Sequence, residues 1–230
     1  MKDIDDKFNP AFDIPLGKIK ETIHRKIDGS LRGYKRVIPL KDISEVNHIA
    51  YFKEDIFHAL IKKIPLRDTN IYPYADSVIK TFNRGSKGLE VGQTFVLKEK
   101  ILSIMGAFSR GKGNLFEEFV SNGLSKMTPL QIYGVDREGN KAMAFYVPAI
   151  VEIHKDCAIL LDGMHRATIC DAGGTSIKAI HVQYIGATLP FEPIDWEDMR
   201  MVDVKPPIEE RYVNLKPELF RDLGAVGIDG

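Results

Sequence analysis

The residues Leu160-Leu161-Asp162-Gly163-Met164-His165-Arg166 join a short apolar run to a helix-forming segment through one Asp-Gly turn. The apolar run Cys157–Leu161 has the length of a buried strand. The residues from Met164 to Asp171 can form two turns of helix, and Gly173-Gly174 is a typical helix stop. Glycine at the turn allows backbone conformations that other residues avoid. The pattern predicts a strand, a tight turn and a helix.

We interpret this turn as a phosphate-binding corner. The first N–H groups of a helix have no partner within the helix, and the helix dipole places partial positive charge at the same end. His165 and Arg166 add side-chain donors, and Asp162 can hold a metal ion or orient His165. A structural interpretation stays open, in which Asp162 caps the helix, His165 satisfies a buried carbonyl and Arg166 forms a surface ion pair.

The composition sets limits on the class of protein. The chain has 230 residues, of which 44% are hydrophobic, so it can bury a full core in one domain with an insertion. Lys plus Arg and Asp plus Glu number 32 each, a balance that argues against an unaided nucleic-acid binder. No secretory signal is visible, and the longest apolar stretch, near residues 142–153, is too short to span a bilayer. We expect a cytoplasmic protein without a membrane partner.

Hydrophobic spacing and helix-breaking residues predict the other elements. Upstream of the corner, strands are predicted over Tyr34–Leu40, Pro129–Val135 and Ala142–Ile153, the last interrupted at Pro148. Helices are predicted over Lys53–Lys63, Ser77–Phe82, Phe95–Phe108 and Leu115–Val120. A polar turn is predicted over Lys41–His48 and a hairpin turn over Arg137–Asn140. Downstream, a strand over Ile177–Ile185 precedes a proline-rich tail with one turn of helix near Trp196.

Two glycine-rich basic stretches, Arg84–Gly88 and Arg110–Asn114, are candidate phosphate-binding loops. Neither has the spacing of a P-loop, and solvated loops are the favoured interpretation. His154 and Cys157 lie three residues apart, but no second pair with zinc-like spacing exists, so we expect a turn histidine and a buried thiol. Cys170 is expected to face the core.

The order of the elements resembles that of the ParB/sulfiredoxin superfamily. The residues that carry the resemblance are Val37–Ile43, Asn122-Gly123 with Pro129, and Leu161–Arg166 with Gly173-Gly174. The resemblance covers roughly 34–64 and 115–185, about half of the chain. It implies an α+β fold, a ParB/sulfiredoxin-like mixed sheet with flanking helices. The implied domain spans 34–185 with a helical insertion at about 65–114, after an extension over 1–33 and before a tail over 186–230 that wraps it.

The branches of the superfamily differ in function. Sulfiredoxins have a catalytic cysteine where this chain has Met164, and a thioether cannot act as the attacking thiolate. Partition-type ParB proteins follow the domain with a helix-turn-helix module, whereas here only the proline-broken tail follows Ile185. In free serine kinases a similar Asp-Gly-x-His-Arg turn binds nucleotide phosphates, and a glutamate after the first strand acts as the base.

The resemblance therefore implies an ATP- or ADP-dependent kinase that acts on a hydroxyl-bearing metabolite such as an amino acid or a sugar, with Mg²⁺ bridging phosphates. The nucleotide would be bound by Asp162, Gly163, Met164, His165 and Arg166. Of these, His165 and Arg166 would also be catalytic, and Asp162 would hold the metal.

Glu45 is the expected base, because it occupies the comparable place after the first strand. Ser44 precedes it where the kinases have histidine, and His48 follows three residues later, so Glu54 and Asp55 stay open as alternatives. The second hypothesis is a non-catalytic ParB-like module that binds nucleotide or DNA for regulation.

Overall fold

The structure, a computed structural model, describes residues 33–34, 36–51, 61–62, 64–83, 89–111, 113–124, 130–146, 148–155, 157–183 and 187–221. It is an α+β fold in which strands predominate and helices are few. The predicted extension over 1–33 lies outside the described residues except for Gly33, as does most of the predicted helix over Lys53–Lys63.

The strands run in chain order. They are β1 Arg36–Val37, β2 Ile43–Tyr51, β3 Ile79–Asn83, β4 Leu89–Val91, β5 Phe95–Leu97, β6 Leu130–Asp136, β7 Lys141–Tyr146, β8 Ala149–Ile153, β9 Ala158–Asp162, β10 Lys178–Gln183, β11 Ile194–Asp195 and β12 Arg200–Val202. The helices are α1 Lys98–Ser109, α2 Leu115–Glu118, α3 Met164–Ala172 and α4 Ile208–Arg211. In the part of the chain that the structure describes, a π-helical turn, Phe119–Leu124, continues α2, and three short 3₁₀ turns occupy Leu40–Asp42, Trp196–Asp198 and Pro217–Leu219.

Two larger sheets and one small one organise these strands. The six-stranded sheet has the order β11-β4-β9-β8-β10-β3 and is mixed, because β9 is parallel to β4 and antiparallel to β8. The four-stranded sheet has the order β1-β7-β6-β2, and β12 pairs in parallel with β5. β7 and β8 are separated only by a short connection at Pro148, so the chain changes sheets there.

The core lies where α1, α3 and the π turn pack against both larger sheets. Phe108 of α1 stacks on Phe119 of the π turn with ring centroids 4.1 Å apart, and Phe119 meets Tyr146 of β7 edge-on at 5.3 Å. Each such aromatic pair adds about 0.5–1.5 kcal/mol beyond its buried area. Cys170 and Ala167 are fully buried in this core, which confirms the expectation for Cys170.

Most elements near the corner match their predictions. The strands, the hairpin turn and the two helices predicted between Leu115 and Ile185 are all present, with boundaries shifted by a few residues at most. Gly139, with φ of +81°, makes the hairpin turn, and the turn of helix near Trp196 is a 3₁₀ turn. The tail packs on the domain, because β11 adds to β4 and β12 adds to β5.

The predicted polar turn over Lys41–His48 is wrong, since Ile43–Tyr51 forms the long strand β2. Ile43, Val46 and Ile49 are buried, although their spacing of three is not that of a regular strand. Two register shifts against β6, between Ile43 and Glu45 and between Val46 and His48, account for this spacing. The bulges hide the strand from a search for strict alternation.

The predicted helix over Ser77–Phe82 is also wrong, because Ile79–Asn83 forms β3 and pairs with β10. Its β-branched residues favour a strand where a partner is present. The helix predicted over Phe95–Phe108 begins only at Lys98, after β5. The segment 65–114, predicted to be helical, thus contributes three strands as well as α1. Within the described ranges, no helix is long and apolar enough to cross a membrane.

Candidate anion-binding corner

The turn between β9 and α3 requires glycine at position 163. β9 ends at Asp162, Gly163 has φ of +97°, and α3 begins at Met164. A Cβ atom on Gly163 would lie 2.6 Å from the Cβ of Ala149, which is closer than atoms in contact can approach. Both the left-handed backbone and the close approach of β8 therefore exclude other residues. The corner is a rigid junction of strand and helix.

Asp162 and Arg166 form a buried ion pair across this turn. The Arg166 Nη2 donates a hydrogen bond to Asp162 Oδ2, and the two residues are only 7% and 8% exposed. The guanidinium carbon lies 5.0 Å from the ring centroid of Tyr146, a cation–π distance. Burial raises the pKa of the Tyr146 hydroxyl, so this ring stays neutral. The pair fixes the first turn of α3 against β9 and β7.

His165 links the start of α3 to the start of α1. Its Nε2 accepts a hydrogen bond of 3.0 Å from the backbone N–H of Leu97, the residue before α1. Burial, together with the positive charges of Lys100 and Arg166, lowers the pKa of His165 to about 4. The imidazole is therefore neutral at pH 7, and its proton resides on Nδ1, because Nε2 is the acceptor. The Nδ1–H is a hydrogen-bond donor.

Through this hydrogen bond, the His165 side chain connects the N-terminus of α3 to the N-terminus of α1. Neither α1 nor α3 has a side-chain cap at its first turn. The first backbone N–H groups of each helix have no partner within the helix, and both dipoles place partial positive charge here. The first turn of α1 carries Lys98, Glu99 and Lys100, and Lys98 Nζ lies 3.6 Å from Asp203 Oδ1, so the helix ends and Lys100 are the main positive contributions. The corner is positively polarised from two directions.

The predicted nucleotide-binding residues lie together, but with different exposures. Asp162, Gly163, Met164, His165 and Arg166 are consecutive at the corner. Met164 is 4% exposed and belongs to the core, so it has only its backbone to offer a ligand. Arg166 faces Asp162 and Tyr146. The ion pair of the structural interpretation is thus present, although it is buried and not on the surface.

Glu45, the predicted base, lies at the opposite end of α1 from the corner. β2 runs alongside α1: the Ser103 hydroxyl donates to the carbonyl oxygen of Lys41 (2.6 Å), and Arg110 Nε donates to that of Ser44 (2.7 Å). Arg110 follows the last residue of α1, whereas Leu97 precedes the first. Thirteen residues of helix span about 20 Å. The structure does not bring Glu45 to His165.

The glycine-rich stretch Arg110–Asn114 lies beside Glu45 and not at the corner, since Gly111 packs directly against the carbonyl oxygen of Val46. This stretch follows the C-terminal end of α1, which carries partial negative charge and therefore disfavours phosphate binding. The other predicted stretch, Arg84–Gly88, and the alternative bases Glu54 and Asp55 lie outside the described residues.

A second buried polar cluster surrounds Glu152 of β8. Arg221 binds both carboxylate oxygens, with Nε at 3.0 Å from Oε1 and Nη2 at 3.1 Å from Oε2. The Tyr74 hydroxyl donates to Oε1, and His154 Nε2 lies 2.8 Å from Oε2. Burial raises the pKa of Glu152, but the His154 hydrogen bond, the Arg221 charge and the Tyr74 hydroxyl more than offset it, so this pKa lies below its usual value.

Sequence reasoning missed this cluster, because Glu152 and Arg221 lie 69 residues apart and no local pattern joins them. It also missed Leu97, whose contribution is a backbone N–H and carries no signal in the side-chain pattern.

For a metal ion, Asp162 offers one carboxylate that already accepts a bond from Arg166, which fits Mg²⁺ poorly unless phosphates supply the other ligands. Within the described ranges, no group of three or more His, Cys, Asp and Glu side chains is arranged to hold a metal.

Comparisons of the chain with models of protein families, with curated proteins and with solved structures give no match.

Proposed function

We propose that the chain is a nucleotide-binding module of the ParB/sulfiredoxin-like plan that holds phosphates at the corner of Gly163 and His165. The observation that carries this proposal is the hydrogen bond between Leu97 N–H and His165 Nε2, which joins two uncapped helix N-termini. A phosphate at this place would receive backbone N–H groups and the Nδ1–H of a neutral histidine. Lys100, whose positive charge already acts on His165, would add positive charge nearby.

Arg166 has an indirect role in this proposal. Its guanidinium binds Asp162 and lies over Tyr146, so it positions the first turn of α3. Asp162 in turn holds the Arg166 guanidinium in place through their hydrogen bond. Any Mg²⁺ would be bound by the nucleotide phosphates and would enter the site with them. The ligand-contacting groups are then the backbone of 163–166 and the ring of His165.

Between the two functions that the resemblance implies, the position of Glu45 favours the binding module over the kinase. General-base catalysis requires the base within about 3 Å of the hydroxyl it deprotonates, or within one water molecule. About 20 Å of helix separates Glu45 from the corner. The nucleotide would therefore act as a regulatory ligand, bound without turnover.

The test measures the binding of ATP, ADP and CTP by calorimetry. In a second assay, labelled nucleotide is incubated with the protein and a pool of amino acids and sugars, and labelled products are sought. We expect saturable binding without a labelled product. His165→Phe removes both ring nitrogens and should weaken nucleotide binding by about tenfold or more, the value of one hydrogen bond to a charged group. His165→Gln retains an acceptor and a donor, and should bind better than His165→Phe.

His48→Phe is the matched control, because His48 is exposed on β2 and its ring lies beside Tyr133, with ring centroids 6.2 Å apart. Equal nucleotide affinity in wild type, His165→Phe and His48→Phe would refute the proposed site. A labelled metabolite would show turnover and would favour the kinase over the binding module. Circular dichroism of each variant shows whether the fold is retained.

A further inference from the structure

The four-stranded sheet has a second buried face, on the side away from the core. On β6 and β7, Ile132 and Ala144 belong to the core. Successive side chains of a strand point to opposite faces, so Gln131, Tyr133 and Met143 lie on the other side of the sheet. Each of these three residues is only 1% exposed, so a further layer of the molecule covers them. We name these three residues the outer face.

The outer face carries two polar atoms that need a partner. Gln131 Nε2 donates to Met143 Sδ at 2.6 Å, but within the described ranges Gln131 Oε1 and the Tyr133 hydroxyl have no hydrogen-bond partner. Burial raises the pKa of Tyr133 to about 12, so its hydroxyl keeps its proton and can donate. Buried polar groups in proteins are almost always paired. The covering layer should therefore supply a donor to Gln131 and an acceptor to Tyr133.

The chain enters β1 from this outer face. The Tyr34 ring meets the Tyr133 ring edge-on, with centroids 5.3 Å apart, and Lys141 Nζ lies 5.3 Å from the centroid of the Tyr34 ring. Because β7 lies between β1 and β6, the Tyr34 ring crosses β7 on the outer side to reach Tyr133. Gly33 lies there too, since a Cβ atom on it would be 3.6 Å from Cδ of Lys141.

Residues 1–32 are thus joined to the structure at the outer face itself. Extended chain rises about 3.3 Å per residue and strands lie about 4.8 Å apart, so about five residues are enough to cross the four strands. The stretch 52–60 follows β2, but the chain beyond it is held at the six-stranded sheet, where Leu66 pairs with Arg221 and Arg221 binds Glu152. The segment 1–32 is therefore the better placed of the two to cover the outer face.

The sequence of residues 1–32 suits this face. Four apolar side chains can pack on the ring of Tyr133 and the thioether of Met143, namely Phe8, Phe12, Ile14 and Leu16. Pro10 and Pro15 interrupt any helix over this stretch. Its backbone N–H and C=O groups can therefore pair with groups outside the segment.

We propose that residues 1–32 dock on the outer face as an intramolecular cover. Apolar side chains of the segment pack on Tyr133 and Met143, a backbone N–H donates to Gln131 Oε1, and a backbone C=O accepts the Tyr133 hydroxyl. This inference is independent of the proposed function, because the outer face lies on the four-stranded sheet and the corner lies on the six-stranded one.

The experiment oxidises the methionines of the full chain with hydrogen peroxide and follows each sulfoxide by mass spectrometry. Met143 reports on the outer face. Met201, which is 54% exposed, reports on free surface. Met164, which is 4% exposed and belongs to the core, reports on any opening of the whole domain. In wild type, Met143 should oxidise as slowly as Met164.

The test variant is Phe8→Ser/Phe12→Ser, which changes only the covering segment. The rate at Met143 should rise by about tenfold or more, toward that of Met201, because oxidation of a methionine follows its exposure. Met164 should stay protected. The matched control is Leu102→Ser/Val204→Ser, which loses apolar side chains at sites that are 58% and 80% exposed and should leave Met143 protected.

An unchanged rate at Met143 in Phe8→Ser/Phe12→Ser would overturn the proposal, because another part of the chain would then cover the outer face. Equal acceleration at Met143 and Met164 would overturn it as well, because the segment would then support the whole domain instead of covering one face. Fast oxidation of Met143 in wild type would show that the face is not covered in solution.

A spin label on Asp13→Cys, in a Cys157→Ser background, gives a second readout that leaves the apolar residues of the segment in place. The amide NMR signals of β6 and β7 should broaden more than those of β3 and β10, which belong to the six-stranded sheet. Stronger broadening of β3 and β10, or no broadening of any strand, would contradict the docked position.

Discussion

Substitution of Arg166 by methionine tests whether the Asp162–Arg166 pair holds the corner together. Methionine keeps much of the side-chain volume but leaves the Asp162 carboxylate buried without its cation. Both side chains are at most 10% exposed, so solvent does little to screen the lost charge. Breaking a buried pair by removing one partner costs about 3–5 kcal/mol. Because a domain has only about 5–15 kcal/mol of stability, the loss should be large and easy to measure.

The assay is urea unfolding followed by circular dichroism. With a slope of about 2 kcal/mol per M, a loss of about 4 kcal/mol lowers the midpoint by about 2 M. Asp162→Asn/Arg166→Met should be more stable than the sum of the two single losses predicts, by about 0.5–3 kcal/mol, as for residues in direct contact. A midpoint for Arg166→Met within about 0.5 M of wild type would refute the reasoning, because the pair would then be solvated.

Two further substitutions and one pH titration test other parts of the structure. Gly163→Ala should destabilise by more than Gly139→Ala, because both glycines have positive φ but only Gly163 has a close neighbour; equal midpoints in urea would contradict this. The pKa of His165 is about 4 in the folded protein, below its value of 6.5 in the unfolded chain. The neutral ring therefore contributes stability that is fully present above pH 6.5 and is lost as the pH falls from 6.5 toward 4. A ring proton signal of His165 that titrates near pH 6.5 would contradict this prediction. Arg221→Met leaves Glu152 without its cation and should cost about 3–5 kcal/mol in thermal or urea unfolding, whereas an unchanged midpoint would show that the tail is not anchored there.

Much of the corner could be predicted from the sequence, since each part of it is a local signal. A β-branched and leucine run gives β9, one glycine gives the turn, and a double glycine ends α3. The buried orientation of Arg166 was not predictable, because Tyr146 and Asp162 are brought to it from different elements. The partner of His165 was hidden for the same reason, as it is a backbone group on a distant segment.

The errors elsewhere also have physical causes. β2 contains two bulges, so its buried residues do not alternate and the segment resembles a polar turn. β3 is a short strand whose conformation depends on pairing with β10, about a hundred residues later in the chain. Long-range pairing of this kind overrides local preference, and a sequence read in windows cannot detect it.

Backbone amide NMR during an ATP titration tests the central claim most directly. Phosphates at the corner should shift the amide signals of residues 163–167 and of residues 97–100 together and saturably, because the two helix N-termini share one ligand. The amides of Glu45 and of residues 110–114, at the other end of α1, should stay unchanged. Shifts confined to that far end, or no saturable shift at either helix start, would contradict the account.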